Sequence, residues 1–101
     1  MTRLIWTLQA IADLEAIEAF ISRDSPRYAD VVVDRIFAAV DRLRDFPRSG
    51  RVVPEIGDEH IREVIMGVYR IVYRLVDDRA EIVTVFRSSR LFGPEDIDHA
   101  V

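Results

Sequence analysis

The sequence contains no cysteine and no lysine. The first absence excludes disulfide staples and thiolate chemistry, and it fits a reducing compartment. The second makes arginine the carrier of all 14 basic charges. Codon bias in a GC-rich genome explains that composition. So does a need for rigid, permanently protonated forks that recognise carboxylate or phosphate in bidentate fashion. Glycine is sparse: Gly50, Gly57, Gly67 and Gly93 are isolated, so no glycine-rich phosphate loop can form. His60 and His99 stand apart without ligand spacing, so neither a metal nor a cofactor is expected. No apolar run is long enough to span a bilayer, and Met1–Trp6 lacks the apolar stretch of a signal peptide. The expectation is a cytoplasmic, soluble protein without membrane contact.

What is present is a globular composition, 50% hydrophobic and 32% charged over 101 residues, the size of one domain spanning 1–101. A domain this small buries a modest share of its surface, so its stability is expected to lean on a partner. The net charge of −4 provides no general basic field, so direct DNA binding is not expected.

Thr7 is a plausible N-cap between a short edge strand, Arg3–Thr7, and an amphipathic helix from Leu8 to Arg23. Ile11, Leu14, Ile17 and Ile21 form its apolar stripe, with Asp13, Glu15 and Glu18 away from it. Ser25-Pro26 ends that helix and starts a second, running to about Asp45, with Ala29, Val32, Ile36, Val40 and Leu43 along one side. So short a break implies an antiparallel helical hairpin. Pro47 and Gly50 close the helical half, and Gly57-Asp58 marks a further loop. From Ile61 the chain is rich in Val, Ile and Tyr, with strands at about 61–66, 69–76 and 80–86 and a tight Asp77-Asp78 turn. Gly93-Pro94 precedes a short acidic tail, Glu95–Val101.

The expected fold is α+β: an N-terminal helical hairpin packed on one face of a small, twisted, mostly antiparallel sheet in the order β-α-α-β-β-β. Trp6, Leu14, Ile17, Ile36, Val40, Ile71 and Tyr73 are the expected core. Strand periodicity puts Tyr69, Ile71, Tyr73 and Leu75 on one face and Arg70, Val72 and Arg74 on the other, which should be the open one. A two-residue turn at 77–78 pairs Arg74 with Glu81 and puts Arg87 on the Arg70 face. A one-residue slip moves Arg87 to the tyrosine face, and the sequence leaves both open. Arg74–Glu81 is also readable as ordinary decoration of a solvated sheet, and Tyr73 as packing. The set Arg62, Arg70, Arg87 and Arg90 is harder to explain that way, because converging arginines need an anion or a partner's carboxylates. Glu15 with Glu18, and Asp41 with Asp45, read as solvated helix surface. Ser88-Ser89 has no nearby base to activate it.

Several segments, in this order and spacing, resemble the RelE/ParE toxin superfamily of type II toxin–antitoxin systems, most closely its ParE branch. They are Ala12-Asp13-Leu14-Glu15-Ala16-Ile17 with Phe20-Ile21; Ser25-Pro26 with Ala29; Leu43, Phe46-Pro47 and Gly50-Arg51; Ile61-Arg62-Glu63; and Tyr69-Arg70-Ile71-Val72-Tyr73-Arg74. The resemblance implies a toxin, of the kind associated with plasmid stabilization, neutralised by a cognate antitoxin protein. It implies DNA gyrase as the target of a ParE-like inhibitor; the alternatives are a RelE-like endonuclease acting on mRNA at the ribosome, or a degenerate member that binds antitoxin without toxicity. Members that cleave mRNA use lysines on the sheet and often a C-terminal Tyr or His. This chain has Arg87-Ser88-Ser89-Arg90 followed by Leu91-Phe92 there, and arginine is a poor general base. Under the gyrase reading the target-binding residues are Arg87, Arg90, Leu91 and Phe92, and the antitoxin-binding residues are Arg62, Arg70 and Arg74. Under the nuclease reading Arg62, Arg70, Arg87 and Arg90 carry the catalytic electrostatics.

Overall fold

The computed structural model describes residues 1–90 and 92–98; Leu91, which the sequence offered for target binding, and residues 99–101 lie outside them. Five strands form one sheet in the order β1-β5-β4-β3-β2: β1 (Arg3–Trp6), β2 (Arg51–Val52), β3 (Ile61–Met66), β4 (Tyr69–Val76) and β5 (Arg79–Arg87). β1 runs parallel to β5 and every other neighbour is antiparallel. Helices α1 (Leu8–Ser22) and α2 (Pro26–Asp41) form the expected hairpin on one face. Two small elements were not anticipated: the two-residue strand β2 and a C-terminal helix, α3 (Pro94–Asp98).

Local chemistry starts both long helices. The Thr7 hydroxyl accepts from the Ala10 N–H at 3.1 Å, and the Ser25 hydroxyl accepts from the Tyr28 N–H at 3.1 Å, with Pro26 at the first helical position. α2 ends three residues before Arg44 in a 3-10 turn, Arg42–Arg44, that buries Leu43. Ile36 and Val40 are buried as expected, while Trp6 and Ile17 are half-buried. The inward face of α1 is rotated from the expected stripe: Ala10 and Leu14 are buried, and Ile11 is 42% exposed.

Ile71, Tyr73, Ile82 and Val85 meet the hairpin and form the main core. The opposite face was expected to be open, because two arginines on one strand face are hard to bury. It is instead covered in part by a second core of Val53, Ile61, Val72, Val83, Phe86, Phe92 and Ile97. The chain between β2 and β3, together with Phe92 and α3, supplies that cover. It is possible because the arginine on this face meets carboxylates.

The Asp77-Asp78 turn sets Arg74 opposite Glu81, the pairing read from the turn length. Asp77 takes a left-handed φ of 53°, which a short polar side chain tolerates. The register then shifts between Val72 and Tyr73: Tyr73 faces Ile82, but Val72 faces Thr84. Val83 is the extra residue of a β-bulge. Beyond the bulge Tyr69 faces Arg87, so Arg87 lies on the tyrosine face, beside α1.

Candidate interaction site

The bulge is held from α1. The Thr7 hydroxyl donates to the Ile82 carbonyl at 2.8 Å and is also 3.1 Å from the Val83 carbonyl. The Asp13 carboxylate accepts from the Thr84 hydroxyl and, at 3.1 Å, from the Val85 N–H. The sequence placed Asp13 away from the apolar stripe of its helix; in the structure it satisfies the backbone donor that the bulge frees. The N-cap of α1 and one acid within that helix thus fix where β5 points its last residues.

On the far side of the sheet, Arg70 is 7% exposed and forms the centre of an ion cluster. Its Nε donates to Glu63 at 2.6 Å, and its two terminal nitrogens grip both oxygens of Glu55 at 2.7 and 2.8 Å. Glu63 is buried and takes a second guanidinium, Arg51 Nε at 2.6 Å. The hydrogen bonds from Arg70 hold the Glu55 carboxyl down at about 2, and those of Glu55 and then Glu63 push the Arg70 guanidinium further into its protonated range. The guanidinium also lies 5.2 Å from the centre of the Phe86 ring and 5.6 Å from that of Phe92, two rings stacked at 5.0 Å. Arg90 lies 5.3 Å from the Phe86 centre and donates to Asp96 at 2.7 Å.

The structure therefore brings Arg70, Arg90 and Phe92 together around Phe86 and keeps Arg62 and Arg87 away. Arg62, paired with Tyr73 on the helix side, donates to the carbonyls of Glu59 at 2.9 Å and Gly50 at 2.9 Å. Tyr73 secures the same loop: its hydroxyl donates to Pro47 O at 2.6 Å and accepts from Gly50 N–H at 3.1 Å. Burial pushes that phenol up. Arg74 pairs with Glu81 at 3.2 Å, and Glu81 also holds Arg79 at 3.0 Å. Burial alone would raise the Glu81 carboxyl, but hydrogen bonds from those two arginines outweigh it and lower it. The four arginines offered for phosphate chemistry do not converge.

Two apolar concavities flank α1 instead. The larger, about 410 Å³, lies between α1 and α2 and is lined by Trp6, Ile11, Leu14, Val33 and Phe37, with Glu15 and Glu18 on its rim. Trp6 and Phe37 meet edge to face at 5.3 Å, and Phe37 remains 47% exposed. The smaller, about 220 Å³, lies on the other flank, between Ala16, Ile17 and Phe20 of α1 and Tyr69 and Arg87 of the sheet. Sequence reasoning missed Glu55, Phe86 and Phe37, along with the roles of Glu63 and Asp13. Glu63 carried the one available signal, an acid on a strand whose neighbour bears arginines.

Comparison with known proteins agrees with this architecture. Residues 4–92 match the family described as the ParE toxin of type II toxin–antitoxin system, parDE. The chain is 34% identical over 92 residues to toxin RelE2 of Caulobacter vibrioides, covering 90% of this chain and 100% of that one. A solved structure titled as the chromosomal ParDE system from P. aeruginosa shares the fold, with a TM-score of 0.72 at 24% identity, over 86% of this chain and 96% of that chain. The RelBE2 toxin–antitoxin complex from Mycobacterium tuberculosis superposes with a TM-score of 0.55 at 25% identity, over 85% and 96% of the two chains. The chain belongs to the ParE toxin family, within the RelE/ParE superfamily.

Proposed function

We propose that this ParE-family toxin acts by binding rather than by cleavage, as an inhibitor of DNA gyrase in the cytoplasm, and that an antitoxin neutralises it by covering the apolar surface of the helical hairpin. The whole 1–101 chain would serve as one toxin domain. The observation that carries the reading is the internal commitment of the arginines on and beside the sheet, with Arg87 standing apart from them on the helix face. Arg70 holds Glu55 and Glu63, Arg74 holds Glu81, Arg90 holds Asp96, and Arg62 holds main-chain carbonyls. Stabilising a phosphate in a cleavage transition state requires cations aimed at one point and a group able to take the 2′-hydroxyl proton. Guanidiniums already engaged to carboxylates, and spread over both faces, are poorly placed for it.

The partner surface follows from burial. A groove lined by Trp6, Ile11, Val33 and Phe37 suits the apolar stripe of an amphipathic helix. The sequence placed the antitoxin at Arg62, Arg70 and Arg74. Arg70 is buried, which makes the hairpin groove the better seat. Purified protein in two assays tests the reading: inhibition of gyrase supercoiling with intact mRNA on translating ribosomes is the expected result. Cleavage at defined codon positions that Arg90→Ala abolishes would overturn it.

A further inference from the structure

We infer that the shelf between α1 and the β4–β5 end is a second recognition point, one that takes a bulky apolar side chain and an adjacent carboxylate from the antitoxin. The inference rests on the antitoxin reading above and adds a site and a chemistry to it. Its floor is Ala16, Ile17 and Tyr69, with Phe20, 62% exposed, as one wall. A concavity of about 220 Å³ suits one large side chain.

Arg87 is its only charged lining residue and has no ion-pair partner among the described residues. Arg3, Arg44, Arg51, Arg70, Arg74, Arg79 and Arg90 all hold a carboxylate. A second cation, Arg23, lies 5.9 Å from the centre of the Phe20 ring, so positive charge flanks the apolar wall as well.

The position of Arg87 is set by construction. With the register of the Asp77-Asp78 turn alone it would point to the Arg70 face. The bulge at Val83, held by Thr7 and Asp13 of α1, turns it beside α1. Bulges often re-aim a side chain in this way. The helix that makes one wall of the shelf thus also sets the residue at its other end.

Charge separates the two flanks of α1. The hairpin groove carries Glu15 and Glu18 on its rim, and the shelf carries Arg87. A flexible chain laid over α1 would meet both by placing basic residues near the first and an acid beside its anchor at the second. A segment that orders on binding can insert a single side chain into the shelf while its backbone follows the helix.

The test uses the full chain and the product of the adjacent small gene as the probe, with affinity measured by calorimetry. Arg87→Glu should weaken binding about tenfold to a hundredfold, the range of one charge-assisted hydrogen bond. Phe20→Ala should weaken it about tenfold. Arg35→Glu, on the exposed surface of α2, serves as the charge control and should change little. Melting curves confirm that each variant folds. Among single Asp or Glu to Arg changes in the probe, one should restore binding to Arg87→Glu while weakening binding to the wild type. Failure of the wild-type chain to bind the probe at all sinks the antitoxin reading and this proposal with it. Binding that both variants leave unchanged, or a loss that no charge swap restores, sinks the shelf alone. Lost toxicity with unchanged antitoxin affinity would also overturn it, giving the shelf to the target.

Discussion

Arg70→Leu should be far more damaging than its distance from the main core suggests. The substitution leaves Glu63, whose side chain is 0% exposed, with one cation, Arg51, itself 60% exposed. It also removes the guanidinium that lies over Phe86 and Phe92. Breaking a buried pair from one side costs about 3–5 kcal/mol, because a charge stays buried without its partner. A domain of this size has only about 5–15 kcal/mol in total, and each kcal/mol moves its melting point by about 4–8 °C. The melting temperature should therefore fall by about 12 °C or more.

The pair itself need not be strongly stabilising, since two desolvated charges cost nearly what their attraction returns. Arg70→Leu combined with Glu63→Leu should recover most of the loss. Glu55 and Arg51 sit at the rim and can be solvated, and the new leucines extend an apolar face that already contains Val72, Val83 and Phe86. The contrast is Arg74→Ala, whose ion pair with Glu81 is partly exposed and should contribute about 0–1 kcal/mol. Urea unfolding followed by the fluorescence of Trp6 measures all of these. A single Arg70→Leu costing under about 1 kcal/mol, or a double variant no better than the single, would refute the argument.

Gly50→Ala should destabilise by about 1–3 kcal/mol, because strain of this kind is the usual cost of overpacking. Its Cβ would lie 2.6 Å from both the Glu63 carbonyl oxygen and the Tyr73 hydroxyl, and denaturation midpoints will report the loss. Tyr73→Phe leaves the Gly50 N–H without its acceptor and should cost about 1–3 kcal/mol, with hydrogen exchange at Gly50 rising first. Acid should weaken the Arg70 cluster in a defined window. The Glu55 carboxyl is held at about 2, below its ordinary 4.5, so its contribution is complete above about 4.5 and fades as pH falls toward 2. The stability advantage of wild type over Glu55→Gln should shrink across that window, and a constant difference would contradict it. Asp13→Ala removes the acceptor for Thr84 and Val85 and should cost about 1–3 kcal/mol, with amide shifts confined to residues around Val83 in NMR spectra.

The parts of the fold legible in the sequence are those governed by neighbours along the chain. Thr7 and Ser25-Pro26 announce helix starts because a cap and its N–H donor are three residues apart. Alternating Tyr and Arg from Tyr69 to Arg74 sorted that strand's faces correctly. The second core was not legible: Val53, Phe92 and Ile97 come from loops and a five-residue helix, where no periodicity marks the buried side. The environment of Arg70 was hidden for a related reason. Its partners Glu63 and Glu55 lie 7 and 15 positions away, and neither approach can be inferred until the registers of β3 and the loop before it are known. A charge counted as exposed by residue type was buried by two others of opposite sign.

Arg87 illustrates a subtler limit. Turn length at Asp77-Asp78 gave the correct Arg74–Glu81 pairing, and extending that register would have put Arg87 on the wrong face. A turn dictates pairing only as far as the first extra residue, and an extra residue leaves unpaired backbone groups that something else must satisfy. Here that something is α1, through Thr7 and Asp13, some 75 and 72 residues earlier in the chain. The polarity of α1 therefore has two causes that the sequence alone does not separate. Glu15 and Glu18 face outward at a groove rim, whereas Asp13, equally acidic and two positions away, is spent on the sheet. The bulge held by that internal bond is what turns Arg87, which holds no carboxylate among the described residues, beside α1.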